Sequence, residues 1–425
     1  MSGPFSRLSV LELGRFIAVP ACAQLLAEGG ADVIKIEDVE GDQSRHNGSI
    51  LGIDGRQSIN KNRGKRSLAA RLADPEVLDA VRSLAARSDI VLANFRPGLA
   101  ERLGLDYESV RRLNPRVIYA ENTAYGTRGP LAAHPGMDIV IQAFTGLAHM
   151  GEHGPEQLLN PVIDYTAALL MAWGVSTALY HRERTGRGQK LDVALLHAAM
   201  FLENNPLTHV DVVDGWRDEF VAHIREAFAA GETWGDVMAH RTALLPNRVM
   251  RAYYGFFDTS DGTVAIACNP RPLRLRLLHL LGVRDRWTEE PGWEPDDVVA
   301  HEAAVLADVQ RAFRERTTSY WVDALTRDGL PAGPMRLSDE LFYDEHIAAN
   351  GFLARVEHEL LGSMTVVAPP LHLSDTPLEP RDPAPLGRDS RNVLLEAGLT
   401  DAAIDALVAR GVVRDGAAAA AGALL

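Results

Sequence analysis

Asp164 is the first residue with chemistry to offer. It follows Asn160-Pro161-Val162-Ile163 and opens a largely apolar stretch that runs to Tyr180. Residues 165–180 read as a buried helix, because the stretch is too short for a membrane span and ends in His181, Arg182, Glu183 and Arg184. An Asp at the start of such a helix is by default an N-cap that accepts backbone N–H groups. It is also a poorly hydrated carboxylate, and poor hydration makes a better nucleophile. A second group is the basic run Lys61, Arg63, Lys65, Arg66 and Arg71, with no acid among them. It reads as a solvated loop or as a phosphate clamp, since Arg presents bidentate donors. A third is Asn94-Phe95-Arg96-Pro97-Gly98. Its hydrogen-bonding amide, stacking face and charge suit an adenine nucleotide, and also any strand-to-helix turn.

Other chemistries fail on spacing. No G-x-G-x-x-G follows the first strand, so the nicotinamide fingerprint is absent. Residues 62–67 place Arg66 where a phosphate loop needs Ser or Thr after its Lys. There is no Gly-x-Ser-x-Gly elbow and no Cys-x-x-Cys. His149 and His153 stand four apart in a Gly-rich stretch that does not match a zinc helix, so no metal site is expected.

The elements that must hold these residues read as α/β. Residues 8–13 are a strand ending at Gly14, residues 20–28 a helix with Pro20 in its first turn and Gly29-Gly30 as its stop, and residues 31–37 the next strand. The alternation recurs with a helix over 75–87, a strand over 89–94, helical signals over 101–113 and a strand over 117–120. Thr185-Gly186-Arg187-Gly188-Gln189 reads as a helix end turning into a strand at 190–195. This is a doubly wound parallel sheet, with polar or Gly-rich residues at the carboxyl ends of strands, where such sheets take ligands. Periodicity then fades over 200–250. Residues 255–267 form a hairpin around Ser260-Asp261-Gly262, helical segments follow near 274–281 and 300–328, and Leu330-Pro331-Ala332-Gly333-Pro334 breaks the chain. Strand character returns over 356–370. The domains expected are a large Rossmann-like domain over 1–210, a smaller α+β domain over 225–335, and a return over 345–425 that completes the first.

Composition sets outer bounds. The chain has 425 residues, enough for a large core without staples. Cys22 and Cys268 are too few for a disulfide scaffold and fit a reducing, cytoplasmic setting. The net charge of −14 argues against wholesale nucleic-acid binding. Residues 1–150 carry 18 basic and 17 acidic side chains, so an anionic small ligand belongs in that third. The first residues lack the apolar core of a signal peptide, and the tail 416–425 is a low-complexity segment expected to fray.

Taken in order, these segments resemble the family III CoA-transferases, whose superfamily also holds the α-methylacyl-CoA racemases. The matching stretches are Pro20-Ala21-Cys22-Ala23-Gln24 with residues 30–37, residues 62–68, residues 88–104, Leu113-Asn114-Pro115-Arg116-Val117-Ile118, Gly136-Met137-Asp138, Asp164 and residues 182–189. The resemblance implies an interlocked homodimer, acyl-CoA and carboxylic acid substrates, no tightly bound cofactor and no membrane partner. It makes Asp164 the catalytic carboxylate. CoA would pass from an acyl-CoA donor to an acid through an aspartyl anhydride and an aspartyl-CoA thioester. Ile17, Ala18, Lys35, Arg66, Asn94, Phe95, Arg102 and Met137 would line the CoA site, with Lys35, Arg66 and Arg102 as phosphate partners. Met137 stands where the racemases carry a His, which disfavours the alternative of an acyl-CoA racemase working through Asp164. Ile17 replaces a usual Gln, residues 225–255 lack the glycine run of the formyl-CoA branch, and Gly387-Arg388-Asp389-Ser390 departs from the family's Gly-Glu-His-Thr. Arg15 and Arg251 are candidates for holding a second carboxylate.

Overall fold

A computed structural model describes residues 3–151, 154–244 and 250–416, and for residues 149–151 the backbone alone. The His149/His153 pair and the tail beyond residue 416 therefore lie outside the described side chains. The chain divides into two compact units, Met1–His209 with His346–Leu425, and Val210–Glu345.

The first unit is built on a seven-stranded sheet. Its parallel strands are β1 (Ser9–Leu13), β2 (Asp32–Glu37), β3 (Lys65–Ala70), β4 (Ile90–Ala93), β5 (Ile118–Thr123) and β6 (Lys190–Ala194). The spatial order is β6-β5-β4-β1-β2-β3, with the short strand β7 (Val413–Arg414) antiparallel at the β3 edge. The chain thus winds outward from β1 in one direction, then returns to β4 on its other flank. That reversal opens a crevice at the carboxyl ends of β1 and β4. Strand cores such as Val10-Leu11 and Ile90-Val91-Leu92 are apolar on both faces, as a sheet covered on both sides requires.

Helix α1 (Ala18–Glu28) packs on one face, and α2 (Arg56–Lys61) lies against it. Helix α3 (Pro75–Arg87) packs on the other, capped by Asp74, whose carboxylate accepts from the Glu76 and Val77 N–H groups. The helical reading over 101–113 is really two helices, Leu99–Leu103 and Tyr107–Leu113. Gly104 separates them at a positive φ of 62°, which glycine adopts cheaply. Helix α4 (Asp138–Thr145) precedes α5 (Val162–Thr185).

The expected buried helix forms as α5, but only one of its faces is buried. Ile163, Ala167, Met171, Val175, Ala178 and Arg182 recur at helical spacing and are buried, and the apolar members enter two core clusters. The opposite face is open: Leu169 is 59% exposed, Trp173 70% and Tyr180 65%. Among the described residues it is the one helix long and apolar enough to cross a membrane by length and composition. Its inner face is instead the wall of the sheet's core.

In the second unit the expected hairpin forms, Tyr254–Asp258 against Thr263–Ala267. The break at residues 330–334 is a third strand instead. Ala332–Pro334 pairs antiparallel with Val264, Ala265 and Ile266 at the sheet edge, where Pro is tolerated. Helices Arg271–Leu281, Val298–Phe313 and Thr318–Arg327 cover this sheet around Tyr253, Phe257, Phe313 and Trp321. Helices Trp216–Ala230 and Trp234–Leu244 occupy the stretch that shows no periodicity. Their inner faces bury only Phe220, Ala227 and Val237, too narrow a stripe to read from sequence.

Candidate active site

The loop between β1 and α1 organises the site. Gly14 has no room for a side chain: a Cβ there would lie 2.1 Å from Val19 Cγ1. Phe16 follows with φ at +64°, a left-handed conformation that costs a non-glycine residue about 1 kcal/mol or more. Its N–H donates to Asp42 Oδ2 at 3.1 Å, which holds the strained turn in place. Ile17 is the N-cap position of α1, whose N-terminus no side chain caps.

Beneath the loop lies a buried ion network. Glu12, fully buried on β1, accepts from Lys35 Nζ at 2.8 Å and from Lys65 Nζ at 2.6 Å. Lys35 also donates to the Gly14 carbonyl, and Lys65 to the Pro20 carbonyl, each at 2.9 Å. The two ammoniums therefore pin both ends of the loop. Burial pulls the Lys35 ammonium down, but Glu12, Asp42 and Glu37 outweigh it and its pKa is raised. Burial dominates at Lys65 and lowers it to about 8.

Asp164 sits in the first turn of α5 and is not its N-cap, which is Pro161. The capping acceptor comes from 26 residues upstream: Asp138 Oδ2 accepts from the N–H groups of Ile163 at 2.9 Å and Asp164 at 3.0 Å. Gln142 Nε2 donates to Asp138 Oδ1 and holds that carboxylate in turn. The Asp164 side chain is thus left without capping duty and partly accessible. Burial pushes its carboxyl pKa up to about 7, the negative charge of Asp138 adds to the rise, and Lys61 opposes it. Lys61 ends α2, is 3% exposed, and rests 5.3 Å from the centre of the Tyr165 ring. Burial lowers its pKa to about 8 despite the pull of Asp164. Ala18 joins Ile163, Ala167 and Ile141 in one core cluster, which sets the α1 N-terminus beside the first turn of α5. Met137, half-exposed, immediately precedes α4.

A second group gathers at the carboxyl ends of β1 and β4. Asn94 is locked to the loop: its Oδ1 accepts from Arg15 N–H and its Nδ2 donates to the Arg15 carbonyl, both at 2.9 Å. Phe95 lines a small cleft with Leu13, Arg15, Ile36, Glu37, Asp38, Ala70 and Leu72. Arg102, Arg96 and Arg15 are exposed around this end.

The structure therefore gathers Ile17, Ala18, Met137 and Asp164 at one end of the loop, and Asn94 and Phe95 at the other, with Arg102 nearby. Two phosphate candidates are not presented. The Lys35 ammonium is enclosed by Glu12 and the Gly14 carbonyl. Arg66 lies at the amino end of β3, away from the crevice, paired with Asp32 at 2.6 Å and Glu396 at 2.7 Å. The basic run is mostly internal wiring, since Arg63 pairs with Glu28 at 2.7 Å and Lys65 with Glu12. Arg15 and Arg96 face solvent at the carboxyl ends of β1 and β4. Arg96 was read in sequence as the charge beside Asn94 and Phe95, and Arg15 as a candidate for a carboxylate. Asp138 and Lys61 were missed as partners of Asp164, because they join it only through the fold. Among the described residues no cluster of three metal-ligating side chains occurs.

The comparisons with known proteins agree across the chain. The family description CoA-transferase family III matches residues 5–390. A succinate–glutarate CoA-transferase of Agrobacterium fabrum is 31% identical over 92% of this chain and 95% of its own length. The beta subunit of a succinyl-CoA–L-malate CoA-transferase of Chloroflexus aurantiacus is 30% identical, covering 96% and 98%. The crystal structure of a CaiB/BaiF family protein from Brucella suis superposes with a TM-score of 0.72 at 28% identity, covering 93% of this chain and all of its own. The chain belongs to CoA-transferase family III and is a CoA-transferase.

Proposed function

We propose that the protein moves CoA from an acyl-CoA donor to a carboxylic acid through covalent intermediates on Asp164. The carboxylate attacks the thioester carbonyl, and the C–S bond breaks to give a mixed anhydride and CoA thiolate. The thiolate attacks the aspartyl carbonyl, expels the donor acid and leaves an aspartyl-CoA thioester. The acceptor carboxylate attacks that thioester, forming a second anhydride and freeing thiolate again. Attack of the thiolate on the acyl carbon yields the new acyl-CoA and restores Asp164. Holding CoA between these steps makes each attack effectively intramolecular.

One observation carries this reading: Asp164 is a partly accessible carboxylate at a helix mouth whose capping work Asp138 performs. It is free to react, and its burial keeps it poorly solvated. CoA is a substrate here and no resident cofactor is invoked. Asn94, Phe95 and the loop residues Ile17 and Ala18 hold its nucleotide and pantetheine, with Met137 near the acyl end. Arg102, Arg96 and Arg15 take the phosphates. The named relatives act on succinate, glutarate and malate, so the acids are read as small dicarboxylic acids. The apolar outer face of α5 supports a homodimer, because a soluble chain rarely leaves Leu169 and Trp173 bare on one helix face.

The test is peptide mass spectrometry after mixing the protein with succinyl-CoA and hydroxylamine in heavy water. A hydroxamate confined to the Asp164 peptide, and absent from Asp164→Ala, is expected. Full transfer by Asp164→Ala would sink the mechanism, and deuterium at the α-carbon without any hydroxamate would point to α-proton transfer, the chemistry of the racemase alternative.

A further inference from the structure

Lys61 is a buried cation with too few partners. An ammonium has three donors, and among the described residues the one hydrogen bond Lys61 makes is a long one, 3.4 Å, to the Gln57 carbonyl of its own helix. It forms no ion pair among the described residues, although the charges of Asp164 and Asp42 both reach it. At 3% exposure it is shut off from bulk water, and beyond those two charges it rests only against the face of the Tyr165 ring among the described residues. Lys35 and Lys65, equally buried, each lie within 3 Å of Glu12 and of a carbonyl. The contrast is informative, because an under-partnered buried charge is costly and is retained where something else completes it. An anion placed where Asp164 and Tyr165 meet would complete it.

We propose that Lys61 is the specificity-determining residue of this enzyme: its ammonium binds the second carboxylate of a dicarboxylic acid whose first carboxyl carbon reacts at Asp164. This rests on the reading of Asp164 as the nucleophile. The geometry supplies the logic. Asp164 is partly accessible and Lys61 is not, so an acid enters at Asp164 and extends its far end inward to the ammonium. A charge-assisted hydrogen bond at this buried ammonium then replaces the weak contact to Gln57. A monocarboxylic acid of the same length would bring a methyl group against a buried ammonium and leave it unpartnered, which is the stronger form of discrimination.

The experiment uses full-length protein with CoA present and two probes of equal length, succinate and butyrate. Calorimetric titration at pH 7 compares wild type with Lys61→Met and Lys61→Arg. The wild type is expected to prefer succinate by roughly 10- to 100-fold. Lys61→Met should lose that preference and Lys61→Arg should keep most of it. Lys61 forms no ion pair among the described residues, so an apolar chain of similar volume strands no directly paired carboxylate, and Lys61→Gln gives an independent second neutral variant. A wild type that binds the two acids equally, or a neutral variant that keeps the preference, overturns the assignment. Parallel weakening of both acids in the neutral variants also overturns it, since that marks a general effect on Asp164 or on packing. Turnover is read separately. A succinate preference that depends on Lys61, in a protein that transfers no CoA, would remove the transferase mechanism and leave Lys61 as a carboxylate site.

Discussion

Asp164 titrates near 7 where an ordinary Asp titrates near 4, and two consequences of opposite sign follow. The nucleophile is the anion, so kcat/KM is expected to rise about tenfold per pH unit below 7 and to level off above it. Stability runs the other way. A carboxyl whose folded pKa is raised favours the folded state fully only below its unfolded value, and that advantage is lost as pH rises to about 7. Asp164→Asn removes the cost. It should melt higher than wild type at pH 8, by on the order of 2 kcal/mol, with the gap closing toward pH 4. A gap that widens on acidification would contradict the assigned shift. At this scale the sequence was legible in part. Asp164 stood out by its apolar surroundings and by its motif. Lys35 and Arg66 did not fulfil their expected roles, because spacing along a strand does not say whether a cation is enclosed or at which end of the sheet it serves.

The elements were more legible than their couplings. The helix over 75–87 carries its own start signal in Asp74-Pro75, and the parallel alternation through residue 195 follows from short apolar runs and helical periods. That Asp138 caps α5 is a tertiary fact with no local signal. It makes a sharp test, since Asp138 both caps the helix and raises the Asp164 pKa. Asp138→Asn keeps an acceptor and drops the charge, so the acid limb of the rate profile should move to lower pH with a modest loss of stability. Asp138→Ala also strips the acceptor and should cost about 1–2 kcal/mol in denaturant unfolding. An acid limb that stays near 7 in Asp138→Asn would remove Asp138 from the account. Glu12→Gln should be harsher, about 3–5 kcal/mol, because it removes the counter-charge that Lys35 and Lys65 share and leaves Lys35 with Asp42 alone at 3.5 Å.

On the scale of the molecule, the open apolar face of α5 was hidden in sequence by the helix's overall hydrophobicity, which shows no sidedness. The proposed homodimer predicts a sedimenting species of twice the 46.3 kDa chain mass. Trp173→Glu should shift it toward monomer, and a wild type that sediments as a monomer at micromolar concentration would refute the assembly. A return over 345–425 that completes the large domain was an expectation from sequence, but the residues that attach it were not legible. Gly387 N–H donates to Ser67 Oγ, Ser67 N–H to Asp389 Oδ2, Ala69 N–H to Ser390 Oγ, and Val413 pairs with Ala70. These are contacts across more than 300 residues, and they bear on birth as much as on stability. A ribosome making 5–20 residues per second exposes β3 roughly 20–70 s before its neighbour β7 emerges. Throughout that interval the nascent sheet has an open edge, which invites pairing with other chains. The contiguous unit Val210–Glu345 is translated in full meanwhile. A transcript cut short between codons 346 and 413 would therefore encode Asp164 and Lys61 intact on a sheet that cannot close, so quality control at the ribosome, rather than loss of any active-site group, would decide its fate.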